Sequence, residues 1–150
     1  MKKNLALSVG FFFIFFLGCK LFVQSGPEFA VSSPVYKKGK TGESCELGGV
    51  CFDFYNKSSK KVVSIETKMN VYNPATKQTA FAGVGTITSS FNGEIEAGQK
   101  KEMCVSLDEY ITTACDIDFL IEQFYISRIL YSDGSEWKDY FGVYAQTSGG

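Results

Sequence analysis

The sequence predicts an all-β domain built as an antiparallel β-sandwich, and three observations lead to this prediction. Apolar and polar residues alternate with a period of two in several segments, which is the pattern of half-buried strands. Gly, Asn, Asp and Pro residues that favour turns separate these segments. Aromatic residues make up 15% of the 150 residues, and such large side chains can fill the space between two packed sheets.

The N-terminus has the features of an export signal. Lys2 and Lys3 precede an uncharged, largely apolar run that extends from Leu5 to Gly18. This run is too short to cross a hydrocarbon core as a helix, which takes about 20 residues. It fits the apolar core of a signal peptide, which is about 7–15 residues long. We therefore expect residues 1–18 to be removed from the mature protein.

The apolar run ends in Phe16-Leu17-Gly18-Cys19, which resembles the signal of bacterial lipoproteins. Gly18-Cys19 matches the end of that signal, whereas Phe16 and Leu17 depart from it, as in the relaxed signals of spirochaete lipoproteins. The resemblance implies cleavage before Cys19, diacylglycerol on its thiol and acylation of its new amine. Two or three acyl chains make a stable membrane anchor. Ordinary secretory cleavage near Gly18 is the alternative.

Five cysteines support the same location outside the cytoplasm. If Cys19 carries lipid, four remain, namely Cys45, Cys51, Cys104 and Cys115. An even number of cysteines in an oxidising compartment predicts two disulfides. Three connectivities are possible, and we favour Cys45–Cys51 with Cys104–Cys115, because short loops cost least entropy to close. Neither spacing is the C-x2-C of zinc or redox sites.

Residues 19–44 are predicted to be the lipidated cysteine and a tether, and residues 45–146 the β-sandwich. The tether prediction depends on Ser, Gly and Pro residues and on the cluster Lys37-Lys38-Gly39-Lys40. The apolar residues Phe29, Val31, Val35 and Tyr36 leave open the alternative that part of residues 28–44 adds a strand.

The first two strands of the predicted sandwich flank the polar turn Asn56-Lys57-Ser58-Ser59-Lys60. Each strand has an apolar face that is expected to point into the core. Asn73-Pro74-Ala75 ends the second strand, because proline cannot donate to a ladder of hydrogen bonds. The residues on these two faces are Val50, Phe52 and Phe54, followed by Val63, Ile65, Thr67, Met69 and Val71.

Phe81 to Phe91 is predicted to be a third extended region. The turn Ala97-Gly98-Gln99 then leads into a fourth strand, in which Met103, Val105 and Leu107 share a face. Phe119 to Tyr131 is the longest apolar stretch and is also predicted to be a strand. Helix is an alternative for Asp116 to Gln123. In the predicted strand the two faces are Phe124, Ile126 and Leu130 on one side and Tyr125, Ile129 and Tyr131 on the other.

Ser132-Asp133-Gly134-Ser135 predicts a hairpin turn of the Asp-Gly type, and Trp137 to Tyr144 is predicted to return as the last strand. Trp137 and neighbouring tyrosines could form a sugar-binding platform, but their alternating spacing favours core positions. If Trp137 faces the core, Asp139 and Phe141 are expected on the same side.

The region from about Val50 to Tyr140 resembles the small immunoglobulin-like FxLYD domains of bacterial envelope proteins. In that family an Asn-rich turn precedes a long strand that ends near Phe-x-Leu-Tyr-Asp. The corresponding residues here are Asn56-Lys57-Ser58 and Met69-Asn70-Val71-Tyr72-Asn73, and Ala97-Gly98-Gln99 stands for a later Pro-Gly-Glu-like turn. The resemblance implies an immunoglobulin-like sandwich that serves as a binding or spacing module, with no catalytic residues to transfer.

Candidate chemical sites are few. Asp116, Asp118 and Glu122 form an acidic cluster, but they lack the glycine and ligand spacing of a calcium loop. The chain has no histidine, no Gly-x-Ser-x-Gly motif and no glycine-rich phosphate loop. We therefore expect no enzyme activity, no metal and no cofactor.

The charge of the chain and its predicted location outside the cytoplasm together lead to the functional prediction. From Cys19 onward the charged residues mix along the chain with a slight acidic excess, which gives no basic footprint for nucleic acid. We expect a membrane-anchored protein of the bacterial cell envelope that contacts an envelope protein partner as a non-catalytic interaction, assembly or spacing module. A lipoprotein that binds a small ligand or a host surface is the alternative.

Overall fold

The computed structural model describes residues 26–40, 45–113 and 116–147, and within these ranges the chain forms β-strands and no helix. The all-β prediction is therefore confirmed. The strands, in chain order, are β1 (Phe29–Val31), β2 (Val35–Lys38), β3 (Gly48–Asn56), β4 (Val62–Tyr72), β5 (Ile87–Ile95), β6 (Lys100–Ser106), β7 (Leu120–Tyr131) and β8 (Glu136–Lys138).

These strands form two antiparallel sheets that pack as a β-sandwich. In the first sheet β3 lies at the centre, with β6 along one side and β1 and β2 one after the other along the opposite side. The second sheet has the order β5-β4-β7-β8. The inner faces of both sheets meet in one apolar core. Its largest fully buried side chains include Phe54, Phe124, Ile65, Met69, Ile95, Leu107, Ile121 and Ile129.

Strands β1 and β2 lie within residues 28–44, where the sequence allowed either a tether or an added strand. Both pair with β3, so the sandwich extends into the region assigned to the tether and begins near Phe29. Phe29 is buried, and its ring stacks on Phe54 at a centroid distance of 5.6 Å. Pro34 is buried between the two short strands, where its missing N–H interrupts the ladder.

Alternation along β3 and β6 follows the prediction, and β4 departs from it at one end. Val50, Phe52 and Phe54 are buried. In β4 the register shifts between Val62 and Ser64. A bulge of this kind reverses which side chains face the core. Val62 is consequently buried where the strict alternation predicted Val63.

The predicted faces of β7 are wrong in part, because the strand is irregular. Besides the shift at Val62 and Ser64, its pairing with β4 shifts register near Ser127 and near Gln123, and Gln123 has a φ of 50°. Each shift moves later side chains to the other face of the sheet. Ile129 is therefore buried together with Phe124, whereas Leu130 lies only half-buried on the outer face. The helix considered for residues 116–123 does not form, since β7 already begins at Leu120.

The third extended region becomes a strand only in its second half. Strand β5 begins at Ile87, and the residues before it form a loop whose Phe81 ring stacks on Tyr110 at 5.3 Å and packs against Phe119 at 5.4 Å. These rings close one end of the sandwich over the core.

At the opposite end of the sandwich, polar side chains connect the turns through hydrogen bonds. Asn56 is buried, and its side-chain nitrogen lies 2.8 Å from the Lys60 carbonyl oxygen and 3.1 Å from that of Ile95. Its side-chain oxygen accepts a hydrogen bond from the Ser58 hydroxyl. The predicted hairpin turn at Ser132-Asp133-Gly134-Ser135 forms nearby, but φ is positive only at Gly134, where it is 80°, and not at Asp133 as the two-residue Asp-Gly type requires. Buried amides need such partners, so Asn56 links the turn that follows β3 to the turn that follows β5.

Candidate functional site

The predicted cysteine pairing is wrong. Cys51 forms a disulfide with Cys104, which excludes both the Cys45–Cys51 and the Cys104–Cys115 bonds. The two residues face each other across the β3–β6 pair, and their Cα atoms are 4.1 Å apart. Loop length favoured short-range bonds, but strand register brought distant cysteines into bonding range. Cys19 and Cys115 lie outside the described residues.

Cys45 is a buried free thiol at the start of the segment that leads into β3. Its sulfur lies so close to Gly49 that a Cβ on that glycine would be 2.4 Å away. Burial raises the pKa of the Cys45 thiol, and the negative charge of Asp108 raises it further. Asp108 accepts backbone N–H bonds from Glu46, Leu47 and Gly48, which lower the pKa of its carboxyl group. The thiolate is the nucleophilic form of cysteine, and a raised pKa lowers the fraction of thiolate at neutral pH. Such a thiol is therefore poorly reactive.

The acidic cluster near residue 116 is bound by a lysine. Lys38 Nζ lies 2.7 Å from an Asp116 oxygen and 2.9 Å from an Asp118 oxygen. Both carboxylates are highly exposed. They form a surface ion-pair network, in which an ammonium group occupies the position between the two carboxylates.

One side of the sandwich, which we call the aromatic edge, is where β1 and β8 approach each other. The Trp137 ring meets Phe29 edge-on at 4.8 Å, so Trp137 faces inward as predicted. Beyond β8, Gln146 pairs with Phe124 and its side-chain nitrogen donates to the Val31 carbonyl oxygen at 3.2 Å. A cavity of about 300 Å³ lies here, lined mostly by apolar side chains such as Phe29, Phe124 and Tyr144.

The predicted position of Phe141 in the core is wrong. Strand β8 ends at Lys138, and the side chain of Asp139 is buried. Its carboxylate accepts N–H bonds from Phe141 at 3.2 Å, Val143 at 3.0 Å and Tyr144 at 3.1 Å. These bonds bend the chain into a loop, in which the Phe141 side chain is 90% exposed.

Gly142 completes this bend. It has a φ of 67°, a region that glycine adopts without strain. A Cβ at this position would also lie 3.2 Å from the Tyr125 ring. We call residues 140–144 the aromatic loop. The sequence carries a signal for this bend, since Asp and Gly within an apolar run favour turns, but the alternation of Trp137, Asp139 and Phe141 equally fits a strand.

The opposite side of the sandwich, which we call the open edge, is formed by β5 and β6. Among the described strands, β5 pairs with β4 alone and β6 with β3 alone. A cleft of about 530 Å³ lies between them, with Phe52, Thr67 and Met103 among its lining residues.

The rim of this cleft is polar. Along β5 the exposed side chains are Thr88, Ser90, Asn92 and Glu94. From β6, the Lys101 ammonium group lies 4.6 Å from the centroid of the Phe91 ring, within the range of a cation–π contact. A long strand with an unpaired outer side can hydrogen-bond to an added strand.

No family model matches the sequence, and no curated protein or solved structure is significantly similar to it. Within the described ranges, no helix is long and apolar enough to cross a membrane.

Proposed function

We propose that this chain is a lipoprotein of the bacterial cell envelope, anchored through acyl chains on Cys19. Its β-sandwich acts as a non-catalytic module for protein contacts, in the manner of an immunoglobulin-like interaction or spacing domain. The partner is an envelope protein that contributes an extended segment to the open edge. The observation that carries this proposal is the outer side of the nine-residue strand β5, which no described strand pairs with and which lies beside an accessible cleft.

Strand addition fits this edge better than ligand binding fits either cavity. An added strand gains backbone hydrogen bonds from β5, and alternate side chains reach the cleft. Phe52 and Met103 offer an apolar floor there, while Ser90 and Lys101 provide polar contacts at the rim. The cavity at the aromatic edge is mostly apolar, and none of its lining residues within the described ranges is charged, whereas small-molecule sites combine apolar walls with convergent polar groups.

The anchor is tested by the intact mass of the protein purified from membranes in detergent. We expect a chain that starts at Cys19 and carries added acyl mass. Alkylation in denaturant without reductant is expected to label Cys45 and to leave Cys51 and Cys104 unlabelled. A chain of unmodified mass that is released into the medium would contradict the anchor.

The docking edge is tested in whole cells with a photoreactive phenylalanine analogue at Ser90, which is exposed on β5. The matched control carries the analogue at Glu122, an exposed position on β7. We expect one discrete protein adduct from position 90 and none from position 122. A Phe91→Pro substitution removes a backbone donor from β5. If the partner adds a strand beside β5, this substitution is expected to abolish the adduct. Equal adducts at both positions would argue against an edge-specific partner.

A further inference from the structure

The aromatic loop exposes more apolar surface than any other described part of the chain. Phe141 is 90% exposed, and Tyr140 and Val143 are each 73% exposed, whereas the next most exposed large hydrophobic residue, Val35, is 54% exposed. Three such side chains lie within four residues, so exposed apolar surface is concentrated at this loop. Exposed apolar patches mark sites of interaction with proteins or membranes.

The shape of the loop is fixed by the fold. The buried carboxylate of Asp139 binds three of its backbone N–H groups, and Gly142 lies against the Tyr125 ring. The Tyr140 and Phe141 rings meet edge-on at a centroid distance of 6.5 Å. The exposed side chains are therefore presented on a preorganised turn, which lowers the entropy cost of binding.

The chemistry of the loop suits a lipid surface. From Tyr140 to Thr147 the sequence contains no charged residue. Tyrosine concentrates at membrane–water interfaces, because its ring is apolar and its hydroxyl remains hydrated. Phe141 and Val143 contribute side chains that gain free energy when they leave water.

The loop lies beside the point where the chain enters the sandwich. Pro27 and Tyr144 line the same cavity, and Gln146 donates to the Val31 carbonyl oxygen. Six residues separate Cys19 from Gly26 in the sequence. Covalent geometry limits this connection to about 25 Å, so an anchor at Cys19 holds the aromatic edge within that distance of the bilayer.

We infer that the aromatic loop is a second membrane-contact site, which inserts Tyr140, Phe141 and Val143 into the head-group region of the bilayer that holds Cys19. This inference rests on the proposed lipid anchor. It lays the aromatic edge on the membrane and turns the open edge away from it, toward a partner. A single short tether would otherwise leave the orientation of the domain undetermined.

The test uses the full mature protein, reconstituted from detergent into vesicles of phosphatidylcholine and phosphatidylglycerol. Phe141→Trp places a fluorophore on the loop, and Thr88→Trp is the control at an exposed position on β5, at the open edge that the inference turns away from the membrane. Both variants retain Trp137, so wild type supplies the background signal. Because both substituted positions are exposed, we expect unfolding midpoints close to that of wild type.

We expect phosphatidylcholine brominated near the top of its acyl chains to reduce the emission of Phe141→Trp by about half, and that of Thr88→Trp or wild type by less than a tenth. Equal quenching of the two variants would overturn the inference. So would a blue shift of Phe141→Trp that depends on protein density and not on bromine, since it would indicate a contact between protein copies or with another protein.

Flotation of the same vesicles separates the two proposals. If wild type floats with the lipid while Phe141→Trp is not quenched, the anchor stands and the loop inference fails. If wild type does not float and lacks acyl mass, the anchor fails, and the loop inference that depends on it fails as well.

Discussion

The two edges of the sandwich contrast in how they are secured and in what they expose. The aromatic edge is closed by ring contacts around Trp137, by the Gln146–Val31 hydrogen bond and by the carboxylate of Asp139. The open edge leaves β5 and β6 unpaired on their outer sides within the described residues, and a covalent bond fastens β6 to β3. An exposed edge strand needs protection from unwanted pairing or fraying. Noncovalent contacts hold the aromatic edge, whereas a disulfide holds β6 at the open edge.

The disulfide gives the largest expected effect. Replacing Cys51 and Cys104 together with serine removes a crosslink between residues 53 apart in sequence. The chain-entropy relation predicts a loss of about 4 kcal/mol in the free energy of unfolding. Urea unfolding measures it, and the double variant is expected to be insensitive to a reductant that destabilises wild type. A loss below about 1 kcal/mol would show that the open edge does not depend on its covalent bond.

Asp139→Ala tests the aromatic edge and has the second largest expected effect. The substitution leaves three backbone N–H groups of the loop without their partner, and we expect a loss of about 2 kcal/mol. Amide hydrogen exchange at Phe141, Val143 and Tyr144 is expected to accelerate. Asp116→Ala, at a fully exposed carboxylate, is the matched control and is expected to change little. Equal losses for the two variants would contradict a specific role for Asp139.

The smallest expected effect is a pH dependence of the unfolding free energy that comes from Glu136, the first residue of β8. The guanidinium of Arg128 and then the ammonium of Lys138 lower the pKa of Glu136 to about 2, from an ordinary value near 4.5. A carboxyl group whose pKa is lowered by folding stabilises the folded state above its unfolded pKa. This contribution is lost as pH falls from about 4.5 toward 2.

Glu136→Gln provides the measurement. Its unfolding free energy is expected to lie below that of wild type at pH 6, and the difference is expected to shrink as the pH falls through this window. Because these side chains lie at the surface, salt is expected to reduce the difference at pH 6. A difference that stays constant down to pH 2 would mean that the ion pairs do not stabilise the edge.

Local pattern predicted the strands where one regular face is buried. In β3 and β6 the inward residues follow from alternation, because a strand with one buried face repeats every two residues. The pattern failed in β7, where the bulge near Ser127 reverses the facing of Ile129 and Leu130 relative to Phe124 and Ile126. A bulge depends on how the partner strand pairs, and that information does not lie within β7 itself.

The aromatic loop was missed for a related reason. Trp137, Asp139 and Phe141 alternate in sequence, which is compatible with a strand whose inner face carries all three. In the folded chain, Asp139 is buried beside N–H groups that follow it, and this local set of bonds replaces pairing with β7. A carboxylate buried without such partners would be far more costly, so the bend compensates for the burial of Asp139.

By itself, the sequence determined the all-β class, the inward faces of β3 and β6 and the Asp133-Gly134 turn, because each depends on residues that are neighbours along the chain. The apolar N-terminal run and Gly18-Cys19 likewise carry the lipoprotein prediction without reference to the fold. Only the tertiary structure decided that Cys51 bonds to Cys104, that residues 29–38 join the first sheet and that Phe141 faces solvent. Each of these outcomes depends on which strands lie side by side, and that arrangement follows from burying one shared core.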